Sequence, residues 1–347
     1  MEHLARIQTP DEAVEVESVA TARDRHNERR LTAGLKVVVI LGPTATGKSG
    51  LALKVAERFD SEVVSADSRY LYRGMDIGTA KPSLAELASV PHHLVNVVEP
   101  QDDFSLATFL DNAFAAVEDV GARGLLPIVA GGTPLYLRAF LQGWSVPRIA
   151  PDEKLRADLE LRETSELFKA VQDVDPSSAG RIGPTNKRRL IRALEVFKAS
   201  GQPMSDLEGK QSPPYRILVL GLRQAREALY QRIDERVRWM FANGLLEEAH
   251  ELLARGVTPD ASAMSAIGYP EARAVVRGEL DLEEAIQRAS FKTHRYVRHQ
   301  ETWFRRFENV HWLDSASSDY VDEALSLVGR FIDDQAGVIV EPDPADF

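Results

Sequence analysis

A glycine-rich segment directly after an apolar run constrains this chain more than any other feature. Residues 37–41 read Val-Val-Val-Ile-Leu, which predicts a buried strand. The eight residues that follow have the spacing G-x-x-x-x-G-K-[ST], and they are Gly42, Pro43, Thr44, Ala45, Thr46, Gly47, Lys48 and Ser49. Leu51, Val55 and Phe59 then recur at helical spacing. A strand, a glycine turn and a helix N-terminus in this order form a cradle for a phosphorylated ligand, with a lysine charge and a serine hydroxyl that can ligate Mg²⁺.

Composition excludes several classes of protein. The chain has 347 residues, of which 44% are hydrophobic, so it can bury a sizeable core. It has no cysteine, which excludes disulfides and thiolate metal sites, and its eight histidines show no metal-ligand spacing. No apolar run approaches the length of a membrane span, and no apolar segment follows the N-terminal charges. We expect no membrane association, and the cytoplasm as the location.

The net charge of −11 at first argues against a nucleic-acid partner, but the charges are unevenly distributed. Residues 1–33 carry seven acids and five Lys/Arg, and residues 331–347 carry five acids and no base. The bases between these ends cluster around 187–192 and again around 288–306. A locally basic groove on a mildly acidic protein is compatible with RNA binding.

Apolar runs alternate with helical spacings from residue 36 to about residue 142. The strand candidates are 36–41, 62–66, 94–98, 126–130 and 216–221, and the helix candidates are about 47–59, 105–122 and 133–142. This alternation predicts an α/β fold with a parallel sheet and helices on both faces. With the glycine turn, it predicts a P-loop NTPase-like core.

The alternation stops after Trp144 and resumes at 216–221. The interval between them has helical patterns and many prolines but no convincing strand, which predicts an inserted helical subdomain. After residue 225 the pattern is helical to about residue 307. We divide the chain into a disordered extension (1–33), the first part of the core (34–145), a helical insertion (146–214), the rest of the core with C-terminal helices (215–330) and an acidic tail (331–347).

Further chemistry stands where predicted strands end, which is where open parallel sheets bind ligands. Asp67 follows the second strand and can accept a proton or bind Mg²⁺, or it can be a turn or N-cap residue. Gly131 and Gly132 follow the fourth strand and aim Thr133 at the same cleft, although Thr133 is also suited to an N-cap. Residues 73–82 form either a second anion-facing loop or a plain surface loop.

At these positions the sequence resembles the bacterial tRNA dimethylallyltransferases, also called tRNA isopentenyltransferases. The similarity extends over about residues 36–315, and the stretch 74–82 is very specific to the family. The segments that carry it are 42–49, 67–72, 74–82, 131–136, 189–197, 267–269, 300–305 and 310–314. Residues 1–33 and the tail lie outside it.

The resemblance implies transfer of a five-carbon prenyl group from dimethylallyl diphosphate to N6 of adenosine 37 in the tRNA anticodon loop. The glycine-rich cradle would hold the diphosphate as the leaving group. Lys48, Thr44 and Mg²⁺ at Ser49 would then stabilise its growing charge. The resemblance also implies that Arg232 or Arg236 reaches back to the diphosphate, although either arginine can instead pair with a neighbouring acid.

On the acceptor side, the resemblance implies that Asp67 is the general base for the N6 proton and that Thr133 orients the diphosphate or the amine. The adenine would have to leave the anticodon stack to reach the cleft. The residues expected to bind tRNA are Asp67, Ser68, Arg69, Tyr70, Arg156, Arg188, Arg189 and Arg192. The resemblance implies that the partners of this protein are tRNA and dimethylallyl diphosphate, and that the helical insertion 146–214 contacts tRNA. We expect the protein to be a monomer.

The chain departs from the family pattern at three positions on the presumed RNA side. Pro270, His294 and His299 stand where the family usually has basic residues. Arg288, Lys292, Arg295 and His299 nevertheless form a basic stripe at helical spacing, which is either an RNA contact or a solvated face. Whether the two histidines replace basic contacts stays open.

Rival functions use the same phosphate cradle. A small-molecule kinase would bind ATP there, but no lid-arginine pattern is evident and segment 74–82 has no role in one. An adenylate isopentenyltransferase would run the same chemistry on AMP or ATP, whereas the helical insertion and basic stripes favour RNA. A GTPase-like switch would need N-K-x-D, and Asn186-Lys187 is followed by two arginines.

Overall fold

A six-stranded parallel sheet forms the centre of the molecule. The computed structural model describes residues 34–334, so the predictions for 1–33 and for 335–347 lie outside the described residues. The strands are β1 Lys36–Leu41, β2 Ser61–Ser65, β3 His92–His93, β4 Leu126–Gly131, β5 Trp144–Ser145, β6 Gly209–Lys210, β7 Arg216–Arg223 and β8 His311–Asp314. The sheet order is β3-β2-β4-β1-β7-β8 with every pairing parallel, while β5 and β6 form a separate antiparallel pair.

Helices cover both faces of this sheet, which confirms the predicted α/β class. The helices are α1 Lys48–Arg58, α2 Leu84–Ser89, α3 Leu106–Ala122, α4 Pro134–Leu141, α5 Glu153–Glu160, α6 Thr164–Val174, α7 Pro176–Ile182, α8 Lys187–Ser200, α9 Met204–Leu207, α10 Arg226–Ala242, α11 Leu245–Ala254, α12 Tyr269–Val276, α13 Leu282–Phe304 and α14 Tyr320–Ile332. No helix among them is long and apolar enough to cross a membrane.

Alternate residues of β1 enter two different cores, because successive side chains of a strand point to opposite faces. Val37, Val39 and Leu41 pack with residues of α3, α4 and α10–α13 on one face. Val38 and Ile40 pack with α1 and α14 on the other. All five side chains are fully buried, each worth about 1.5–3 kcal/mol of apolar burial. The continuous apolar run before the glycine turn therefore reflects a strand covered on both faces.

The predicted strand at 94–98 is wrong. The third strand is the shorter segment His92–His93, and residues 94–98 contribute only an isolated bridge from Val98 to Tyr72. Leu94 and Asn96 have φ values of 60° and 56°, which are left-handed conformations that an extended strand cannot contain. Apolar alternation alone could not reveal these two turns.

Two short pairings were also missed. The interval 146–214 contains the strand residues Gly209–Lys210, which pair with Trp144–Ser145 where the chain enters and leaves the insertion. The edge strand His311–Asp314 pairs with β7 beyond the predicted helical region. Both segments are too short to show a period of two, and β8 has only Leu313 buried.

The insertion has a small apolar core of its own. Leu167, Val171, Leu190 and Val196 come from α6 and α8 and form a cluster separate from the two that pack on the sheet. Towards the C-terminus, α14 runs to Ile332, so its last two residues lie within the segment 331–347 that was expected to be the acidic tail.

Candidate active site

The glycine-rich turn opens onto a cavity of about 200 Å³ at the carboxyl edge of the sheet, which we call the phosphate cavity. Its walls come from the turn, the ends of β2 and β4, the loop before α2, and one residue of α10. The residues that line it are Thr44, Ala45, Gly47, Lys48, Ser49, Gly50, Ala52, Val63, Ser65, Asp67, Tyr70, Thr79, Ala80, Lys81, Pro82, Glu86, His92, Ala130, Gly131 and Arg236. The phosphate loop and Asp67 thus line one cavity, whereas Thr133 is not among the residues that line it.

The phosphate loop, residues 42–49, turns sharply before α1. Ala45 and Gly47 have positive φ values of 66° and 92°, and Gly47 is the N-cap of α1. Backbone N–H groups in such a turn point inward, and the helix N-terminus adds partial positive charge. Thr46 Oγ1 donates to Pro43 O at 2.8 Å, so the Thr46 hydroxyl supports the turn from behind. The conformation is that of an anion-binding nest.

Lys48 is the principal charge of the cavity. Its ammonium donates a hydrogen bond of 2.6 Å to Pro43 O. Desolvation by the surrounding protein is the main reason why the pKa of Lys48 is lowered to about 8. The Arg236 charge lowers this pKa further, whereas the Asp67 carboxylate raises it. A lysine in this state gains its full charge when an anion arrives, because the anion favours the protonated form.

Gln300 is a site residue for which the sequence assigned no role. It lies on α13, is 1% exposed, and uses both ends of its amide. Its Oε1 accepts the backbone N–H of Thr44 at 3.0 Å, and its Nε2 donates to Gly132 O at 2.6 Å. Gln300 therefore fixes the phosphate loop relative to the Gly131-Gly132 turn. The only signal was its place in the matching segment 300–305.

Asp67 and Thr133 lie side by side, as the strand order predicts. Asp67 Oδ1 accepts the N–H of Arg69 at 2.9 Å, which leaves Oδ2 as the oxygen that can meet an acceptor. The turn interpretation and the cavity interpretation of Asp67 therefore both hold. Thr133 is the N-cap residue of α4, but its hydroxyl makes no cap bond and instead accepts the N–H of Ser68 at 2.9 Å. Thr133 thus orients the segment that carries Asp67.

Arg236 and Arg232 differ in position although they share one helix face. Arg236 lines the phosphate cavity, and burial lowers its pKa from the usual value. Arg232 is exposed and donates to Gln224 Oε1 at 3.3 Å. Of the two candidates for a diphosphate contact, only Arg236 reaches the cavity among the described residues.

The loop at 74–82 lines the cavity, but its charged side chain points elsewhere. The Lys81 ammonium is 1% exposed and donates to Tyr72 O at 2.7 Å, Asp76 Oδ1 at 2.6 Å and Asn96 Oδ1 at 2.6 Å. Burial lowers its pKa. Thr79 donates to Met75 O at 2.6 Å. Residues 79–82 therefore form a wall of the phosphate cavity, which favours the anion-facing alternative, and the polar groups of Lys81 and Thr79 hold the loop itself together.

Two residues expected at the tRNA interface, Arg69 and Tyr70, form hydrogen bonds with other groups of the protein. Arg69 donates to Ser262 O at 3.0 Å and to Ser265 Oγ at 3.2 Å. The Tyr70 hydroxyl donates to Ala80 O at 2.8 Å, and burial raises the Tyr70 pKa, so this donor stays protonated. Both residues fix the segment after Asp67 against neighbouring loops.

The insertion arginines divide into two pairs. Arg156 and Arg192 both pair with Glu195, which is 1% exposed: Arg156 Nε donates to it at 2.8 Å, and Arg192 Nη1 contacts its other oxygen. Arg192 also donates to Ile149 O at 2.9 Å. Arg188 and Arg189 are exposed, so they are the pair free to meet a phosphate backbone.

The histidine on the inner side of α13 does not lie in the basic stripe. His294 is 17% exposed, its ring stacks on Tyr230 at 3.9 Å between centroids, and its Nε2 lies 2.9 Å from Asp234 Oδ1. It packs against α10, so its position is unsuited to replacing a phosphate contact. His299 is exposed beside Trp303, with ring centroids 6.2 Å apart. Within the stripe, Arg288 pairs with Glu284 and Lys292 with Glu271.

The fold and the cavity define a P-loop protein in which the phosphate loop after β1 and the Asp67 carboxylate after β2 line one cavity. This arrangement suits a transferase that acts on a phosphorylated ligand. The profile of the IPP transferase family matches residues 70–307, and that of the isopentenyl transferases matches residues 35–96. A tRNA dimethylallyltransferase of Thermomicrobium roseum is 52% identical over 304 residues, covering 86% of this chain and 92% of its own.

Two solved structures share the fold. The tRNA isopentenylpyrophosphate transferase of Bacillus halodurans is 37% identical with a TM-score of 0.65, covering 87% of this chain and 98% of its own. A eukaryotic dimethylallyltransferase acting on tRNA is 26% identical with a TM-score of 0.74, covering 89% of this chain and 82% of its own. The chain belongs to the tRNA dimethylallyltransferase family.

Replacing Arg192 should destabilise the protein, whereas replacing Arg188 should not. Arg192→Ala leaves Glu195 buried with fewer partners, and we expect a loss of about 2 kcal/mol in the free energy of unfolding. Arg188→Ala removes an exposed side chain and is expected to stay within about 0.5 kcal/mol of the parent. Urea unfolding followed by circular dichroism measures both. Equal stability of the two variants would contradict the assignment.

The affinity for inorganic diphosphate should depend on the protonation of Lys48. Below pH 8 the ammonium is already charged, whereas above pH 8 binding must take up a proton, so affinity falls by up to about tenfold per pH unit. Calorimetric titrations between pH 7 and 9.5 measure this. Lys48→Arg is the control, because its guanidinium stays charged and the remaining slope belongs to the ligand. Parallel profiles for the two proteins would refute a titrating Lys48.

Proposed function

We propose that this chain transfers a dimethylallyl group from dimethylallyl diphosphate to N6 of adenosine 37 in the tRNA anticodon loop and releases diphosphate. One observation carries the proposal: the Lys48 ammonium, the Arg236 guanidinium and the Asp67 carboxylate face one cavity at the edge of the sheet. Two cations suit a diphosphate leaving group, and a carboxylate suits an amine that must lose a proton. The family name supports the same donor and acceptor.

On the donor side, the N–H groups of the phosphate loop and the charges of Lys48 and Arg236 bind the diphosphate. As the bond between C1 of the prenyl group and the diphosphate oxygen breaks, negative charge grows on that oxygen, and these fixed groups stabilise it without reorganising. The cavity is small, and residues 79–82 line it together with the phosphate loop.

Mg²⁺ is part of this proposal. The donor present fits it: the Ser49 hydroxyl lines the cavity that would hold the diphosphate, and oxygen ligands with a diphosphate are what Mg²⁺ prefers. The described residues contain no group of three or more acidic or histidine side chains placed to hold a metal ion, so most ligands would come from the diphosphate and water. When bound, the ion would neutralise part of the leaving-group charge.

On the acceptor side, Asp67 accepts the proton of N6 as that nitrogen bonds to C1. The Oδ1 bond to the Arg69 N–H holds the carboxylate in place, and Oδ2 takes the proton. Thr133 acts through Ser68 rather than on the reacting atoms. The adenine must be flipped out of its stack to reach this depth. Arg188 and Arg189 on α8 would contact the tRNA backbone.

Three broader features of the proposal follow from the partner. The reaction requires tRNA and prenyl diphosphate in the same compartment, and we expect that compartment to be the cytoplasm. The tRNA reaches the site of a single chain, so we expect a monomer to be active. The helical insertion supplies one side of the tRNA path, with its exposed arginines on α8.

One assay separates the proposed function from its rivals. Purified protein is incubated with labelled dimethylallyl diphosphate and Mg²⁺, with tRNA, AMP or ATP as the acceptor. We expect label on tRNA alone, and on a transcript whose adenosine 37 is replaced by guanosine we expect none. Prenylation of AMP would indicate an adenylate isopentenyltransferase. Transfer of the γ-phosphate of ATP to an acceptor would indicate a kinase.

Asp67→Asn should separate binding from turnover. Asparagine keeps the Oδ1 acceptor for Arg69 and so preserves the turn, but it cannot take a proton. We expect single-turnover transfer to fall by about 10²–10⁴-fold. The dissociation constants for tRNA and for dimethylallyl diphosphate should change little. A loss of tRNA affinity as large as the loss of rate would assign Asp67 a binding role.

A further inference from the structure

The wall of the phosphate cavity opposite the phosphate loop is held from outside by one carboxylate. This wall consists of residues 79–82, which line the cavity, and it continues from residues 76–78. Glu248, in the first turn of α11, faces those three residues from behind. The first two backbone N–H groups, of Asp76 and Ile77, donate to Glu248 Oε2, each at 2.8 Å. That of Gly78 donates to Oε1 at 3.0 Å.

A fourth donor completes the set. The Tyr269 hydroxyl donates to Glu248 Oε1 at 2.6 Å, and the Tyr269 side chain is fully buried. Burial and the adjacent Glu248 charge raise the pKa of Tyr269 well above its usual value, so the hydroxyl keeps its proton. Each oxygen of Glu248 thus accepts two hydrogen bonds, which satisfies a carboxylate as fully as protein donors commonly do.

The fit around this contact leaves little room for another arrangement. A Cβ on Gly78 would lie 2.6 Å from atoms of both Leu245 and Tyr269, so only glycine lets the loop approach α11 and α12 this closely. On the cavity side, the Ala80 carbonyl accepts the hydroxyl of Tyr70, a lining residue. The wall is therefore held between Glu248 outside and Tyr70 inside.

We infer that Glu248 is a positioning residue for the prenyl-transfer reaction. By holding the N–H groups of 76–78, it sets the distance between the wall 79–82 and the phosphate loop, and hence how tightly the cavity closes on the prenyl diphosphate. Glu248 touches no reacting atom and acts through the loop. Charge-assisted hydrogen bonds from three successive N–H groups are well suited to this task, because they fix a backbone rather than a side chain. This inference rests on the proposed function.

The test compares Glu248→Gln with Glu247→Gln. Glutamine retains one acceptor oxygen for four donors and turns an NH₂ group toward the rest, so the wall should loosen. The matched control, Glu247, is an exposed acid in the same helical turn. We expect Glu248→Gln to raise the KM for dimethylallyl diphosphate by about tenfold or more, since bonds to a charged acceptor are lost. The KM for tRNA should stay within about twofold, and Glu247→Gln should behave as the parent.

A purely structural role would give another result. It would lower the melting temperature and the fraction of active protein, so kcat would fall while the KM for the diphosphate stayed unchanged, and that outcome would overturn the inference. If Glu248→Gln does not fold, Glu248→Asp, which keeps the charge but withdraws it by one methylene, provides the same comparison.

Direct binding separates this inference from the proposed function. Calorimetric titration with dimethylallyl diphosphate and Mg²⁺ needs no acceptor. We expect the dissociation constant of Glu248→Gln for dimethylallyl diphosphate to be larger than that of the parent by the same factor as its KM. If the parent prenylates no tRNA but Glu248→Gln still weakens this binding, the acceptor assignment fails and the positioning role stands. If the parent and Glu248→Gln bind the diphosphate equally, the positioning role fails whatever the acceptor is.

Discussion

The close approach of β2 and β4 at their carboxyl ends is the contact on which the site depends. A Cβ on Gly131 would lie 2.2 Å from Ala66 O, so the two backbones meet where any side chain would separate them. This contact puts Asp67 beside Thr133, and the pairing of β4 with β1 puts both beside the phosphate loop. The cavity exists because three neighbouring parallel strands end at one edge, and the turns at the ends of β1 and β4 carry glycine.

The charges of the site are held by groups that do not themselves meet the ligand. Gln300 connects the phosphate loop to the Gly131-Gly132 turn by two hydrogen bonds. Thr133 accepts the backbone N–H of Ser68, and Glu248 accepts backbone N–H groups of the opposite wall. Each of these polar side chains forms at least one hydrogen bond with a backbone group, so it fixes the position of the backbone itself. A cavity built this way is pre-organised, which is where electrostatic catalysis gains most.

Much of the fold could be predicted from the sequence because its signals are local. The apolar run and the glycine turn after it are adjacent in the sequence, and Asp67 and Thr133 each follow a predicted strand directly. Because parallel strands end at the same edge of a sheet, the sequence predicts that these two residues lie at one cleft. The strand predicted at 94–98 is wrong because Leu94 and Asn96 have left-handed backbone conformations. These conformations do not alter the spacing of apolar residues, which is the signal that predicts a strand.

Long-range pairing explains what the sequence could not show about individual side chains. Arg156 pairs with Glu195 from another helix, 39 positions away, and nothing in its local spacing reveals this contact. Arg192 is three residues before Glu195 on the same helix, but that spacing does not reveal that Glu195 is buried. Lys81 is similar, since its carbonyl and amide partners surround it only once the loop is folded. Gln300 and Glu248 each reach residues more than 150 positions away. Such residues can be assigned only from coordinates.

The central claim is that one cavity brings the diphosphate, the acceptor amine and Asp67 together, and a crystal structure of the ternary complex tests it most directly. The complex would contain a tRNA anticodon stem-loop and the thiolodiphosphate analogue of the donor, which resists ionisation. The account predicts the diphosphate within hydrogen-bond distance of Lys48 and Arg236, with N6 of the flipped adenine within about 3.5 Å of both the Asp67 carboxylate and C1 of the prenyl group. A diphosphate bound away from the phosphate loop, or an adenine amine that does not reach Asp67, would contradict it.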